Sequence, residues 1–309
     1  SILKDASAVA VYGLDANGVF IVTTKQGKAE KMSITYTGSV GFSQNAEQQE
    51  WLDGPGYAYW YNKARELQGD SQVFTAEMVQ KMRDGVDGWG NTNWYDKVYG
   101  TGTRTHHNIS ATGGSDRVRF FASIGYLNED GILINTGFQR YNARVNVNSN
   151  ITDWFKANMN ASLSNSVQDY SDYDGSSTSN VWYSAQFVSP LFPVYVKGLD
   201  GKNVLGEDGK PQLDYGENGR PGSYTDYNPV GGLTDDKSNK KNDVASLRTG
   251  VTFGSDKDNF GVFKGIKLNV NFGLDYRNQS RMSYMNMYHG NQATAGGLLT
   301  KYNTRMQSY

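Results

Sequence analysis

The sequence predicts an all-β fold in which about seven long strands form part of a large antiparallel transmembrane β-barrel. Three observations carry this prediction. Apolar and polar residues alternate over repeated segments, most segments are about as long as a strand that crosses a bilayer, and their apolar faces carry no charge. The composition agrees, because 36 Gly and abundant Asn against only 6 Pro are typical of strands and turns.

Composition also excludes several classes of protein. The 30 Lys+Arg balance 31 Asp+Glu, which argues against nucleic-acid binding through bulk basicity. The absence of Cys excludes a disulfide scaffold and thiolate zinc sites. No apolar run approaches the roughly 20 residues of a transmembrane helix. With three His, two of them adjacent at His106 and His107, we predict neither a metal nor a cofactor.

The alternation predicts seven strands, of which the second has the weakest pattern: 32–43, 105–112, 117–126, 140–148, 154–163, 246–253 and 266–277. Several apolar faces end in an aromatic residue, as the girdles of membrane barrels require: Phe42, Tyr126, Tyr141, Phe155, Phe253 and Tyr276. The alternative is a soluble all-β domain with aromatic core edges. Strands in such domains are usually shorter, about 5–6 residues.

The predicted connections alternate between short and long. Residues 113–116 and 149–153 are typical of tight turns, whereas 44–104 and 164–245 are far longer than loops of compact soluble domains. Membrane barrels combine short periplasmic turns with long extracellular loops. We therefore predict extracellular loops at 44–104, 164–245 and 281–309. In the first of them we expect one helix containing Lys63–Leu67 and a second over Thr75–Asp84.

The N-terminal residues have a different pattern. A short helix is predicted over residues 4–13, and a turn at Asn17-Gly18 leads into a strand over 19–25. That strand lacks alternation and is therefore expected to be buried on both faces. A small α/β element ahead of a barrel indicates a plug in the lumen. We expect 1–28 to belong to this element and 29–309 to the barrel, within a longer protein.

Sorting charges by strand face reveals a separation that the net charge of −1 hides. The polar faces carry one acidic residue, Asp275, and the following basic residues: Arg117, Arg119, Arg140, Arg144, Lys156, Arg248, Lys267 and Arg277. The predicted loops are acidic in balance. A basic lumen favours anionic cargo. The alternative is that these cations pair with acidic residues of the plug.

Several stretches, specific only when taken together, point to one family: Leu3–Ala8, Tyr12-Gly13, Ala16–Val19, Asn93–Asp96, Asn108–Ser115, Phe121–Ile132, Gln139–Asn146, Asn228-Pro229 and Phe263–Leu268. They resemble SusC-like TonB-dependent outer-membrane transporters of Bacteroidetes. The resemblance implies a 22-stranded barrel, closed by a plug, in the cell outer membrane. It implies that 1–28 are the C-terminal end of the plug domain and 29–309 the N-terminal part of the barrel. It implies uptake of a large nutrient, an oligosaccharide or oligopeptide, with TonB acting on a segment upstream of this chain and a SusD-like lipoprotein as a lid.

No arrangement of catalytic residues is present, so we predict a transporter rather than an enzyme. Two alternatives remain: a non-transporting outer-membrane barrel or adhesin, and a soluble carbohydrate-binding β-module. Asp169, Asp172 and Asp174 hint at calcium, but Tyr170 occupies the position of a ligand, so a solvated acidic loop is the better interpretation.

Aromatic residues in the loops are candidates for contact with cargo or lid. Such rings stack on sugars or hold apolar peptide side chains. We select these residues as substrate-binding candidates: Trp182, Tyr183, Phe187, Trp89 and Trp94. The alternative for any one of them is packing within an ordered loop.

Overall fold

The computed structural model describes residues 2–3, 19–20, 25–46, 50–170, 185–186, 188–214, 228–234, 237–254, 264–289 and 302–308. At the N-terminus, β1 (Ile2–Leu3) pairs antiparallel with β2 (Val19–Phe20). The helix predicted over 4–13 and residues 21–24 of the predicted strand lie outside the described residues. No helix in the described ranges is long and apolar enough to cross a membrane.

One large antiparallel sheet makes up most of the described chain. Its strands follow chain order: β3 (Ser33–Ser43), β4 (Gly102–Gly114), β5 (Val118–Asp130), β6 (Gly137–Asn150), β7 (Phe155–Tyr170), β8 (Lys237–Phe253), β9 (Leu268–His289) and β10 (Tyr302–Ser308). Each strand pairs with its sequence neighbours, which is the up-and-down order of a membrane barrel wall. All seven predicted strands are therefore confirmed, and β10 is an additional one.

The register aligns the predicted apolar faces across the sheet. One row of directly opposed residues reads Ile34, Ala111, Ala122, Val145, Ala161, Leu247 and Leu274. The next row reads Tyr36, Ile109, Ile124, Ala143, Leu163, Ala245 and Tyr276. Directly opposed residues share a face, so these rows form one uncharged surface. Ile124 is 70% exposed there, which in water would be unfavourable and in lipid is not.

The strands are longer than the alternation predicted. β7 reaches Tyr170, β8 begins at Lys237 and β9 continues to His289. The predicted loops 44–104 and 164–245 therefore shrink to 44–101 and 171–236. The prediction of 281–309 as loop was wrong in part, since β9 and β10 leave only 290–301 between them. The alternation did not predict these extensions, because the face that is apolar in the middle of each strand carries polar residues near its end. Asn165 of β7 and Asp243 of β8, which are directly opposed, are an example.

Connection lengths alternate between short and long only in part, because the connection 254–267 is longer than 131–136, the reverse of the predicted order. At one end of the sheet the turn after β4 is closed by Ser115, whose Oγ accepts from the Val118 amide at 3.3 Å. The turn after β6 is closed by Thr152, whose Oγ1 accepts from the Phe155 amide at 3.0 Å. At the other end lie the connections 44–101, 131–136 and 171–236. The two longest connections, 44–101 and 171–236, therefore share one end of the sheet.

Three helices give the first long connection its order. These are α1 (Gly54–Leu67), α2 (Ala76–Asp84) and α3 (Trp94–Val98). The two predicted helices correspond to α1 and α2, capped by Asp53 and Thr75, whose side chains accept from backbone amides. A fourth helix, α4 (Pro229–Thr234), packs near α3 in a hydrophobic cluster that includes Trp94, Phe192 and Leu233.

Candidate functional site

The polar face of the sheet is rich in amides and hydroxyls. One row reads Ser33, Thr112, Phe121, Asn146, Asn160, Arg248 and Gly273, and the next reads Thr35, Ser110, Ser123, Arg144, Ser162, Ser246 and Asp275. In a membrane barrel this face lines the lumen. The surface formed by these rows is called the lumen face below.

The register places six of the eight predicted basic residues in strands on the lumen face. Arg117 and Lys267 lie in the connections immediately before β5 and β9. Arg248 donates to Asp275, with Nη2 and Oδ2 2.5 Å apart. The following residues are exposed and form no ion pair with any described residue: Arg117, Arg119, Arg140, Arg144, Lys156 and Arg277. These cations are available to an anionic ligand or to acidic groups elsewhere in the protein.

A segment from the N-terminal region, residues 25–30, lies on the lumen face. Asn146 Nδ2 donates to the Lys25 carbonyl at 2.7 Å, and Asn148 Nδ2 donates to Gln26 Oε1 at 2.6 Å. Asn146 is only 1% exposed, whereas Asn148 and Asn160 beside it on this face are half-buried. A buried amide needs such a partner, because leaving it unpaired costs about 1–3 kcal/mol. The lumen face therefore binds the chain that leads into β3.

Gly27 makes the closest approach of this segment to the wall. A Cβ atom at this position would lie 2.2 Å from the Phe120 amide nitrogen and 2.5 Å from its carbonyl oxygen. Real Cβ atoms do not approach backbone so closely, so only glycine fits here. The Gly114 amide donates to the Glu30 carbonyl at 2.9 Å and holds the other end of the segment.

A cavity of about 620 Å³, the loop cavity, lies among the long connections. Its described lining includes Trp51, Tyr57, Asn91, Trp94, Tyr95 and Gln186. Two loops distant in sequence build it, because the Gly90 amide donates to the Leu191 carbonyl at 2.8 Å and the Thr92 amide to the Pro190 carbonyl at 2.9 Å. The volume lies within the range of about 300–1,000 Å³ typical of small-molecule sites.

The predicted aromatic candidates occupy different environments. Trp89 is buried beside Phe74 and Leu191 in a cluster beneath α1. Trp94 is also buried, and its Nε1 donates to the Ser189 carbonyl at 3.0 Å, yet part of its surface lines the loop cavity. Trp182, Tyr183 and Phe187 lie outside the described residues. Packing is thus the structural role of Trp89, whereas Trp94 combines packing with a place in the cavity wall.

The candidate list omitted the residues that give the loop cavity its open aromatic wall. Trp51 is 44% exposed and lies two residues before Asp53, the N-cap of α1, and Tyr95 lies beside Trp94 on α3. An aromatic residue close to an N-cap was the available signal. No local sequence pattern identifies Asn91 and Gln186 as cavity residues, because their positions depend on the pairing of the two loops.

Tyr99, next to this site, makes the loops sensitive to alkaline pH. Its hydroxyl is buried without a hydrogen-bond partner among the described residues. Burial, with a smaller effect from Tyr95, raises the pKa of Tyr99 to about 12, from about 10 in an unfolded chain. Because the pKa of Tyr99 is raised on folding, its neutral hydroxyl contributes fully to the stability of the folded loops below pH 10. This contribution is lost as the pH rises to about 12.

We therefore expect Tyr99→Phe to shift loop unfolding to higher pH without loss of stability at neutral pH. Phenylalanine keeps the ring packing and removes the ionisable hydroxyl. Protease susceptibility of the loops, followed between neutral pH and pH 12, measures the effect. Tyr59→Phe is the control, since Tyr59 is 61% exposed. Identical alkaline profiles for wild type and Tyr99→Phe would contradict the assignment.

The fold and the site together define a class of protein. A meander of long strands has one uncharged apolar face, a polar face that binds a chain segment, and the two longest connections at one end. These are the features of the wall of a plugged transmembrane β-barrel.

Comparison with known proteins confirms the family predicted from the sequence. The TonB-dependent receptor SusC of Bacteroides thetaiotaomicron is 30% identical over 300 residues, which cover 93% of this chain and 27% of that protein. The TonB-dependent receptor P3 of Formosa agariphila is 30% identical over 213 residues, covering 67% of this chain and 20% of that protein. The chain belongs to the SusC-like TonB-dependent receptors and spans about a quarter of the length of these relatives. No family model matches it.

Solved structures show the same fold. The RagAB peptide importer in its closed-closed state aligns with a TM-score of 0.64 at 22% identity, covering 92% of this chain and 32% of that chain. The open-open state aligns with a TM-score of 0.65 at 23% identity over the same shares. At this level of identity the likeness concerns the fold alone.

Proposed function

We propose that this chain belongs to an outer-membrane importer of a large nutrient, an oligosaccharide or oligopeptide, driven by TonB. The observation that carries the proposal is residues 25–30 bound to the lumen face of a sheet whose other face is uncharged. A barrel wall that holds a chain segment inside it is the arrangement of a gated pore. The SusC relative supports the same class of activity, and the structural neighbours share the fold.

In this proposal, residues 1–28 are the end of the plug and 29–309 the first part of the barrel in the outer membrane. Cargo binds among the extracellular loops under a SusD-like lipoprotein. TonB, acting on a segment upstream, rearranges the plug and opens a path along the lumen face. The wall does no covalent chemistry, and its role is to bind, hold and release.

Two roles for the lumen-face cations that form no ion pair among the described residues fit this mechanism. They attract carboxylate-bearing cargo along the opened path, or they pair with acidic residues of the plug in the resting state. Both uses require exposed guanidinium groups such as those of Arg140 and Arg144, which face the lumen on β6.

Uptake measured in cells tests the proposal. We expect the intact receptor to bind its nutrient with or without TonB, but to accumulate it only when TonB and the proton gradient are present. Binding and uptake of one labelled nutrient are compared in parental, receptor-deletion and TonB-deletion strains. A non-transporting barrel or adhesin would bind the nutrient equally well in the parental and TonB-deletion strains. Its uptake in the parental strain would not exceed that in the receptor-deletion strain. That result would reject the proposed function.

A further inference from the structure

A groove of about 360 Å³, the lipid-face groove, crosses the uncharged face of the sheet from β6 to β9. Its described lining on this face consists of three alanines and five larger apolar residues: Ala143, Ala161, Ala245, Val145, Leu163, Leu247, Leu274 and Tyr276. Arg144, Ser162 and Ser246 also border the groove, and the register assigns their side chains to the opposite, lumen face. The alanines leave room between the larger side chains, and a flexible hydrocarbon chain fits such a space.

The groove lies next to the upper edge of the apolar band. On the same face, the next row toward the two longest connections reads Tyr126, Tyr141, Asn165, Asp243 and Asn278. The ring centroids of Tyr126 and Tyr141 are 4.7 Å apart, and girdle aromatics of this kind mark the boundary between hydrocarbon and headgroups. An acyl chain in the groove therefore belongs to the leaflet on this side, with its headgroup beside this row.

The polar row fixes a carboxylate beside the headgroup position. Asp243 Oδ1 accepts from Asn165 Nδ2 at 2.5 Å, and its Oδ2 accepts from Asn278 Nδ2 at 3.5 Å. Lys241 lies one row further out on the same face of β8, about 7 Å along the strand. It is exposed and forms no ion pair with a described residue. From the groove outward, the wall thus presents first a carboxylate and then a cation.

This order of charges distinguishes between lipid headgroups. Phosphatidylethanolamine carries its phosphate next to the acyl chains and its ammonium outermost, which is the reverse of what Asp243 and Lys241 would bind. A lipid A-type glycolipid carries hydroxyls near its acyl chains and phosphates on the sugar rings outside them. Its hydroxyls can donate to the remaining lone pairs of Asp243, and its phosphate can accept from Lys241.

We propose that the lipid-face groove and the polar row above it bind a lipid A-type glycolipid of the outer leaflet. One acyl chain lies in the groove, hydroxyls bind Asp243 and a phosphate binds Lys241. The inference rests on the proposed outer-membrane function and adds a lipid-binding site on the outside of the wall, away from the lumen. Lipid surrounds this face in any case, so the preference comes from close packing and from the polar pairs rather than from burial.

Binding to the intact receptor, stripped of lipid in detergent, tests the assignment. Native mass spectrometry counts bound lipid during titrations with lipid A, phosphatidylethanolamine and phosphatidylglycerol. We expect lipid A to bind the wild type about tenfold or more tighter than either phospholipid. Lys241→Gln should weaken lipid A binding about fivefold. Ala245→Phe, which fills the groove and keeps the face apolar, should weaken it about tenfold.

Each variant has a matched control. Lys240→Gln changes the neighbouring exposed lysine, whose side chain belongs to the lumen face. Ala157→Phe adds a ring to the lipid face of β7 outside the described lining of the groove. Both controls should leave the affinity for lipid A unchanged.

Three results would overturn the inference. The phospholipids bind as tightly as lipid A, the two variants behave like their controls, or the groove is occupied by a second copy of the receptor in dimers that Ala245→Phe disrupts. TonB-dependent uptake of a labelled nutrient is measured separately. Uptake without a preference for lipid A would reject this site and leave the import function intact, whereas lipid A binding without uptake would do the reverse.

Discussion

Replacing Ala161 by Arg should destabilise the barrel by about 2–4 kcal/mol, the cost of an Arg on the lipid face near the bilayer midplane. Ala161 lies within the apolar band on β7, directly between Val145 of β6 and Leu247 of β8. Its neighbours on the same face of β7, Met159 and Leu163, are also apolar. The guanidinium would therefore have no polar partner within the band.

Urea unfolding of the intact receptor in lipid, together with its yield in the outer membrane, measures the cost. Ser162→Arg is the matched control, because Ser162 is the next residue along β7 and lies on the lumen face between Arg144 and Ser246. We expect it to change the free energy of unfolding by less than about 1 kcal/mol, since lumen-facing positions tolerate charge. Equal losses for the two variants would mean that the assignment of faces is wrong.

Replacing Gly27 by Ala should detach residues 25–30 from the lumen face. The added methyl would lie 2.2 Å from the Phe120 amide nitrogen, which belongs to β5, a strand hydrogen-bonded on both sides. Displacement of the segment would break the bonds from Asn146 and Asn148. We expect a loss of about 1–3 kcal/mol from the amide of Asn146 alone, if it stays buried without a partner.

Protease cleavage near Lys25 and outer-membrane entry of a large hydrophilic dye report the detachment, and both should increase. Gly41→Ala is the control, because a Cβ on Gly41 of β3 would have no atom within 4 Å. If residues 25–30 of Gly27→Ala resisted the protease as well as those of the wild type, the close contact between Gly27 and the wall would be contradicted.

The sequence predicts the sheet only where the strands lie in the bilayer, because there apolar and polar residues must alternate along each strand. Rows such as Tyr36, Ile109 and Ile124 alternate with polar residues, because one face contacts lipid and the other the lumen. The pattern ends where the strands leave the apolar band. For this reason the outer parts of β7, β8 and β9 were assigned to loops, although they continue the same hydrogen-bonded ladder.

The candidate site was less predictable. The basic residues followed from strand parity, which needs no tertiary information. The loop cavity depends on contacts across about a hundred residues, such as the bond from Trp94 to Ser189. No local period records such a contact, so Trp94 was identified and Gln186 was not.

The sequence by itself determined which face of each strand contacts lipid, which face carries the cations and which ends carry long loops. Each of these properties is set by the period of two and by residue chemistry along a single strand. The tertiary structure alone decided that Asn146 is buried, that Gly27 contacts Phe120 and that two distant loops enclose a cavity. These features arise when segments far apart in the chain pack together, and burial then depends on what covers a residue rather than on the residue itself.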